Sequence, residues 1–201
     1  MAEDTATADR LAELERRLAA EVAVRQRLVE VATSLASTLN LDELLDLVMR
    51  SAAELLDAET SSLLLLDEAT GELTIEVATG GTAEDVVKQR VPRGEGVAGW
   101  ALEHRAPAVI DDPASDDRFY GDVAAAIGFE TRNLLATPML VKDRAIGVVE
   151  VINKRGADGF TDADVELAGA LAGLAATAID NAAMDGRLAD AVVTARMSYR
   201  L

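Results

Sequence analysis

Apolar residues recur at three-and-four spacing from the start of the chain: Leu11, Leu14 and Leu18, then Leu28, Ala32, Leu35 and Leu39, with Glu21 and Arg25 interrupting the stripe. That period predicts a long amphipathic helix. Because its first heptads precede any globular pattern, it reads as a coiled-coil seam, the alternative being a helix packed on its own domain. Asn40 followed by Glu43 predicts an N-cap with its reciprocal glutamate, and Leu44, Leu45, Leu47, Val48 and Leu55 give a second helix over about 41–57.

The period then changes. Ser61 to Leu66 and Leu73 to Ala78 are apolar segments joined by the turn composition Asp67 to Gly71, which predicts an antiparallel hairpin. Gln89 to Pro92 suggests a short edge strand. Gly96 to His104 has the length and spacing of a short helix started tightly by Gly94 and Gly96, and Pro107 to Ile110 reads as a strand. Asp111 to Tyr120 is a polar loop, and Asp122 to Ile127 a short helix ended by Gly128. A second hairpin follows, Arg132 to Val141 and Ala145 to Asn153, turning at Lys142 to Arg144. Thr161 and Asp164 then open a final helix carrying Val165, Ala168, Leu171, Ala172, Ala175 and Ile179, extended by Ala182 to Met197. These elements make an α+β chain: a helix over 1–40, a domain over 41–182 and a helical extension over 183–201.

Composition narrows the function. Nineteen Lys and Arg stand against 36 Asp and Glu, and the net charge of −17 repels phosphate backbones and anionic lipid, so nucleic acid and membrane surfaces are poor partners. With no cysteine, disulfides, thiolate nucleophiles and thiolate metal ligands are excluded, and a reducing, cytoplasmic compartment is expected. The N-terminus lacks the pattern of a secretory signal, and the longest apolar stretch, Gly169 to Ile179, is short for a bilayer. His104, the one histidine, has no partner for a metal or a nucleophilic triad, and the acidic loop Asp111 to Asp117 lacks EF-hand spacing. No paired carboxylates mark a hydrolase. No enzyme is expected.

Four strings, taken in order, resemble the GAF domain: Gly94 to Trp100, Ile110 to Pro113, Gly128 to Leu135, and Ile146 to Lys154. The resemblance covers roughly residues 25–185. It implies a GAF (PAS-like) fold, a central six-stranded antiparallel sheet with helices on one face and long terminal helices. The last string continues to Phe160 and Asp164 and is similar to the asparagine-lysine, phenylalanine, aspartate signature of GAF domains that bind cyclic nucleotides. The resemblance therefore implies cAMP or cGMP as ligand, with Asn153, Lys154, Phe160 and Asp164 closing the pocket. The signature's final glutamate falls at Val165, with Glu166 one residue on.

On that basis the ligand-binding residues are expected in the middle third. Ser62 and Thr131 supply hydroxyls; Trp100, Phe119 and Phe129 supply either faces for a base or ordinary core filling. Ile110, Asp111, Ile127 and Gly128 flank the site, where backbone amides at helix ends favour an anion. Arg132 answers a phosphate, or pairs with Glu130 or an acid of the loop. The terminal helices imply a homodimer, and two uses remain open: a ligand-gated module, or a ligand-free scaffold that docks a signalling protein.

Overall fold

The structure, a computed structural model, describes residues 2–36, 40–81, 83–119, 121, 125, 128–156 and 159–198. Chain contacts divide it into two units, Met1–Thr38 and Leu39–Leu201.

The first unit is a helix, α1 (Ala2–Ala36). Glu13 pairs with Arg16 at 3.1 Å and with Arg17 at 2.9 Å, and Arg27 with Glu30 at 2.8 Å, the i to i+3 and i+4 neighbours of a helix surface. Leu11, Leu14, Leu18, Val22 and Val29 are exposed on it. In its second half the exposed apolar line therefore runs through Val22 and Val29, whereas Leu28 of the expected seam is half-buried.

The second unit begins with α2 (Leu41–Leu55), two residues shorter than expected. Asn40 caps it, but its side-chain oxygen accepts from the Asp42 amide at 3.4 Å, so the cap is not the expected pairing with Glu43. Strands β1 (Ala58–Leu66), β2 (Leu73–Ala78), β3 (Arg90–Val91), β4 (Ala108–Ile110), β5 (Leu134–Val141) and β6 (Arg144–Lys154) form one sheet in the order β3-β2-β1-β6-β5-β4, every pairing antiparallel. A one-turn helix, α3 (Ala83–Val86), absent from the sequence reading, sits between β2 and β3. The expected helix at Gly96–His104, α4, is present, and α5 (Asp162–Ser198) closes the chain. Of the expected helix at 122–127 only Ala125 is described; it is helical, its amide bonding the Gly121 carbonyl at 2.8 Å, and the other five positions lie outside the described residues.

Side chains alternate across each strand, and this gives the sheet two different faces. On one, Leu63, Leu135, Val149 and Val151 meet α2 and α5 through Val48, Met49, Leu171 and Ala175, all fully buried. The Ser61 hydroxyl donates to the Met49 carbonyl at 2.6 Å and fixes α2 to β1. On the other, Leu64, Val148, Ala136 and Leu134 pack under α4 through Val97, Ala98 and Ala101. Helices α2 and α5 thus share one face and the short α4 covers part of the other.

Residues Asp162–Met184 of α5 are long and apolar enough to cross a bilayer, a longer window than the sequence suggested. Its Ala168, Leu171, Ala172, Ala175 and Ala176 are buried against β5 and α2, so the same composition serves a core helix.

The start of α5 is a reciprocal cap. Asp164 accepts from the Thr161 amide at 2.7 Å and hydroxyl at 2.8 Å, and its own amide donates to the Thr161 hydroxyl at 3.3 Å. Lys154 at the end of β6 donates to the same carboxylate at 2.5 Å and lies 5.9 Å from the centroid of the Phe160 ring. Burial raises the Asp164 pKa, but Lys154 and the two Thr161 bonds outweigh it and hold the group below its ordinary 3.8. Asp164→Ala is expected to cost about 2 to 3 kcal/mol, since it leaves the mostly buried Lys154 without its partner and uncaps the helix. The folded-state pKa is depressed, so this stability is present above pH 3.8 and lost as pH falls through the folded value. Denaturant unfolding of both proteins checks it: the gap should be full at pH 7 and shrink in acid.

Candidate functional site

A cavity lies on the α4 face of the sheet. Its floor follows from the register: Ser62 is paired with Glu150, Thr60 with Ile152 and Leu64 with Val148, so side chains at every second position of β1 and β6 point the same way. Thr60, Ser62, Leu64, Glu150 and Ile152 line it, with Ile75 and Ala78 from β2 and Leu134 from β5. Gly96, Val97 and Ala98 of α4 form one wall, and Phe119, Phe129 and Thr131 another. The enclosed free volume is ≈ 100 Å³.

The α4 wall is held close by its glycines. A Cβ at Gly99 would stand 2.7 Å from the Gly94 carbonyl carbon, so the loop before α4 folds back on its second turn only because that side chain is missing. The Gly99 amide bonds the Glu95 carbonyl at 3.2 Å, and the Glu95 side chain makes no capping bond. The first amides of α4, at the residues that line the cavity, have no partner within their helix. A helix N-terminus carries about half a positive charge, so this wall favours an anion or a carbonyl oxygen.

Glu150 supplies the opposite character. It sits among Leu64, Ile152 and Leu134, bonded by the Ser62 hydroxyl, and among the described lining residues no Lys, Arg or His faces it. Burial disfavours the charged form and pushes its pKa from 4.5 up to about 7, against the smaller opposing effect of Ser62. Near neutrality this carboxyl therefore both donates and accepts protons in hydrogen bonds.

Of the residues expected from the sequence, the structure brings Ser62, Phe119, Phe129 and Thr131 together around this cavity. Trp100 lines no part of the cavity: half-buried, it packs against the core cluster under α4, the core-filling alternative, and stacks on His104 at a centroid distance of 4.1 Å with the Arg118 guanidinium 5.1 Å above its ring. Arg118 also chelates Asp116, at 2.7 and 2.9 Å, and holds that carboxyl down to about 2. Ile110 is core, packed under α4, while Asp111 and Gly128 are exposed and line no part of the cavity. Ile127 lies outside the described residues. Arg132 is exposed and turned to Glu59, 2.7 Å away, rather than to Glu130 or a ligand, and this bond is the main cause of the lowered Glu59 pKa. Asn153 acts as a buried hub. Fully buried with φ +60°, it accepts from the Arg132 amide at 2.7 Å and donates to the Glu130 carbonyl and the Glu59 carboxylate, each at 2.8 Å. It ties β6 to the segment that carries Phe129 and Thr131.

A sequence model described as the GAF domain matches residues 38–180, most of the chain. The chain belongs to the GAF family. Among curated relatives, a probable 3′,5′-cyclic phosphodiesterase of Caenorhabditis elegans is 30% identical over 148 residues, covering 68% of this chain and 20% of that protein. A dual 3′,5′-cyclic-AMP and -GMP phosphodiesterase of Drosophila melanogaster is 28% identical over 156 residues, 70% of this chain and 11% of that one. The chain thus spans a fifth or less of these relatives. The GAF domain of a phosphoenolpyruvate-protein phosphotransferase from Coxiella burnetii superposes with a TM-score of 0.73 over 82% of this chain and 96% of its own, at 22% identity. GAF domains are sensory and regulatory modules, and the six-stranded antiparallel sheet with its flanking helices is their fold.

Proposed function

We propose that this GAF domain is a cytoplasmic, non-catalytic sensor whose ligand occupies the α4 cavity, with a cyclic nucleotide, cAMP or cGMP, the favoured class. The observation that carries the reading is the cavity's division of labour: an apolar slot with the N-terminal turn of α4, uncapped by a side chain, on one wall and the Glu150–Ser62 pair on the floor. A cyclic nucleotide needs a slot for its base, hydrogen-bonding groups for its edge and ribose, and donors for its phosphate. The phosphodiesterase relatives point to the same class.

Size makes binding a conformational event. Ligand pockets usually enclose about 300 Å³ or more, against ≈ 100 Å³ here. A nucleotide therefore enters by displacing the Phe119 and Phe129 wall, and a ligand that favours the displaced arrangement shifts the population toward it. The terminal helices pass that shift to a second copy of the chain, making the homodimer the output device. The small volume also supports a second reading, a ligand-free dimerising scaffold that docks a signalling protein.

Titration separates the two. With cAMP or cGMP at a hundredfold excess over its dissociation constant, the domain should gain about 2.7 kcal/mol of stability, seen as a rise in Tm. Flat curves for both nucleotides, with no small molecule released on denaturing the purified protein and analysing it by mass spectrometry, would establish the scaffold.

A further inference from the structure

Four of the exposed large apolar residues of α1 form a figure with internal symmetry. Leu11 and Val29 are five helical turns apart and so lie on one line along the helix; Leu18 and Val22 fall about 20° to either side of it. All four, with Leu14, are at least 45% exposed. Reversing the direction of the helix about residue 20 lays Leu11 on the place of Val29 and Leu18 on the place of Val22. A surface that maps onto itself in this way is self-complementary under a two-fold axis perpendicular to the helix.

Charge selects the same orientation. On the two sides of residue 20, residues 2–19 carry five acidic side chains and three arginines, whereas residues 21–36 carry two arginines, Arg25 and Arg27, balanced by two acids, Glu21 and Glu30. Two parallel copies would set acidic half beside acidic half. Antiparallel copies set each acidic half beside the neutral half of the other and so avoid that repulsion, and their helix dipoles oppose favourably as well. Each contribution is small at an exposed surface, but the apolar stripe is buried equally in both orientations, so the charges decide.

We propose that α1 pairs with α1 of a second copy in antiparallel orientation, centred near residue 20, through Leu11, Leu14, Leu18, Val22 and Val29. This rests on the homodimer reading and adds its direction. The two chains then leave the pair at opposite ends.

The sequence contains no cysteine, so spin labels can be placed singly. Ala12 and Thr33 are exposed positions of α1, about 100° and about 40° round the helix from the apolar line, and Ala12→Cys and Thr33→Cys are made in the full chain. Pulsed electron paramagnetic resonance on the antiparallel pair should give axial separations of about 24 Å between two labels at position 12 and about 39 Å between two at 33. An equimolar mixture should add a close 12-to-33 pair offset by only about 8 Å. Parallel copies reverse this: both like pairs sit side by side, and the mixed pair is about 32 Å apart. That second pattern would overturn the orientation and leave the homodimer standing. Sedimentation of the unlabelled full chain as a monomer at micromolar concentration would overturn both.

Discussion

Gly147→Ala is expected to destabilise the domain by roughly 3 kcal/mol or more, a large part of the ~5–15 kcal/mol that holds such domains together. Gly147 lies in β6 between Leu65 of β1 and Met139 of β5. A Cβ there would stand 2.1 Å from the Leu64 carbonyl oxygen and 2.5 Å from the Met139 Cε. The methionine end can swing away; the carbonyl is part of the ladder and cannot. The β5–β6 register shifts immediately beside this residue, between Met139 and Leu140, where Ile146 of β6 is the extra residue. Gly173→Ala is the control. Nothing lies within 4 Å of its Cβ position on α5, so better helix propensity should stabilise by about 0.5 to 1 kcal/mol. Urea unfolding of the two variants should move the midpoint in opposite directions, and equal small losses would refute the steric argument.

Glu150→Gln is expected to stabilise the domain at alkaline pH and leave it nearly unchanged in acid. Burial raises this carboxyl's pKa from 4.5 to about 7, so the folded state holds its proton more tightly than the unfolded chain. Below pH 4.5 both states are protonated and the group's full contribution is present. As pH rises toward 7 the unfolded chain ionises first, stability falls, and above 7 the folded domain carries a buried charge. The difference amounts to something on the order of 3 kcal/mol, or about 6 to 12 °C in Tm for a domain of this size. Glutamine keeps the shape and does not titrate. Unfolding curves at pH 4.5 and pH 8 should thus coincide for the two proteins at the first and diverge at the second. An equal gap at both would show that Glu150 ionises as a solvated glutamate does.

Local pattern made most of the elements legible. The tight glycines before Gly96 and the turn compositions at Asp67 to Gly71 and Lys142 to Arg144 placed α4 and both hairpins, because each depends on backbone preferences a few residues long. Part of the candidate site was legible too: Phe129 and Thr131 fall inside the Gly128 to Leu135 string that resembles the family, while Ser62 and Phe119 stood out only by side-chain chemistry, a hydroxyl on a strand and an aromatic ring in a polar loop. Glu150 was overlooked although its signal was present, an acid at a cavity-face position flanked on the same face by Val148 and Ile152. Read as part of an aliphatic run, it shows its strangeness only when strand parity is followed. Arg132 was paired in the sequence reading with near neighbours, whereas its partner Glu59 is 73 residues away and reaches it only through the β1–β6 pairing. For Trp100 the sequence left a base-stacking face and core filling equally open, and its packing against the core cluster under α4 decides for the second.

The buried asparagine at the end of β6 makes the site and the last helix mechanically inseparable. Thr131 forms part of the cavity wall, the next amide along is gripped by Asn153, and the residue after Asn153 is the lysine clamped to the foot of α5. Between the wall and that foot there is no slack chain, only two hydrogen bonds and two peptide units, so a load applied at one end arrives at the other without a hinge to absorb it.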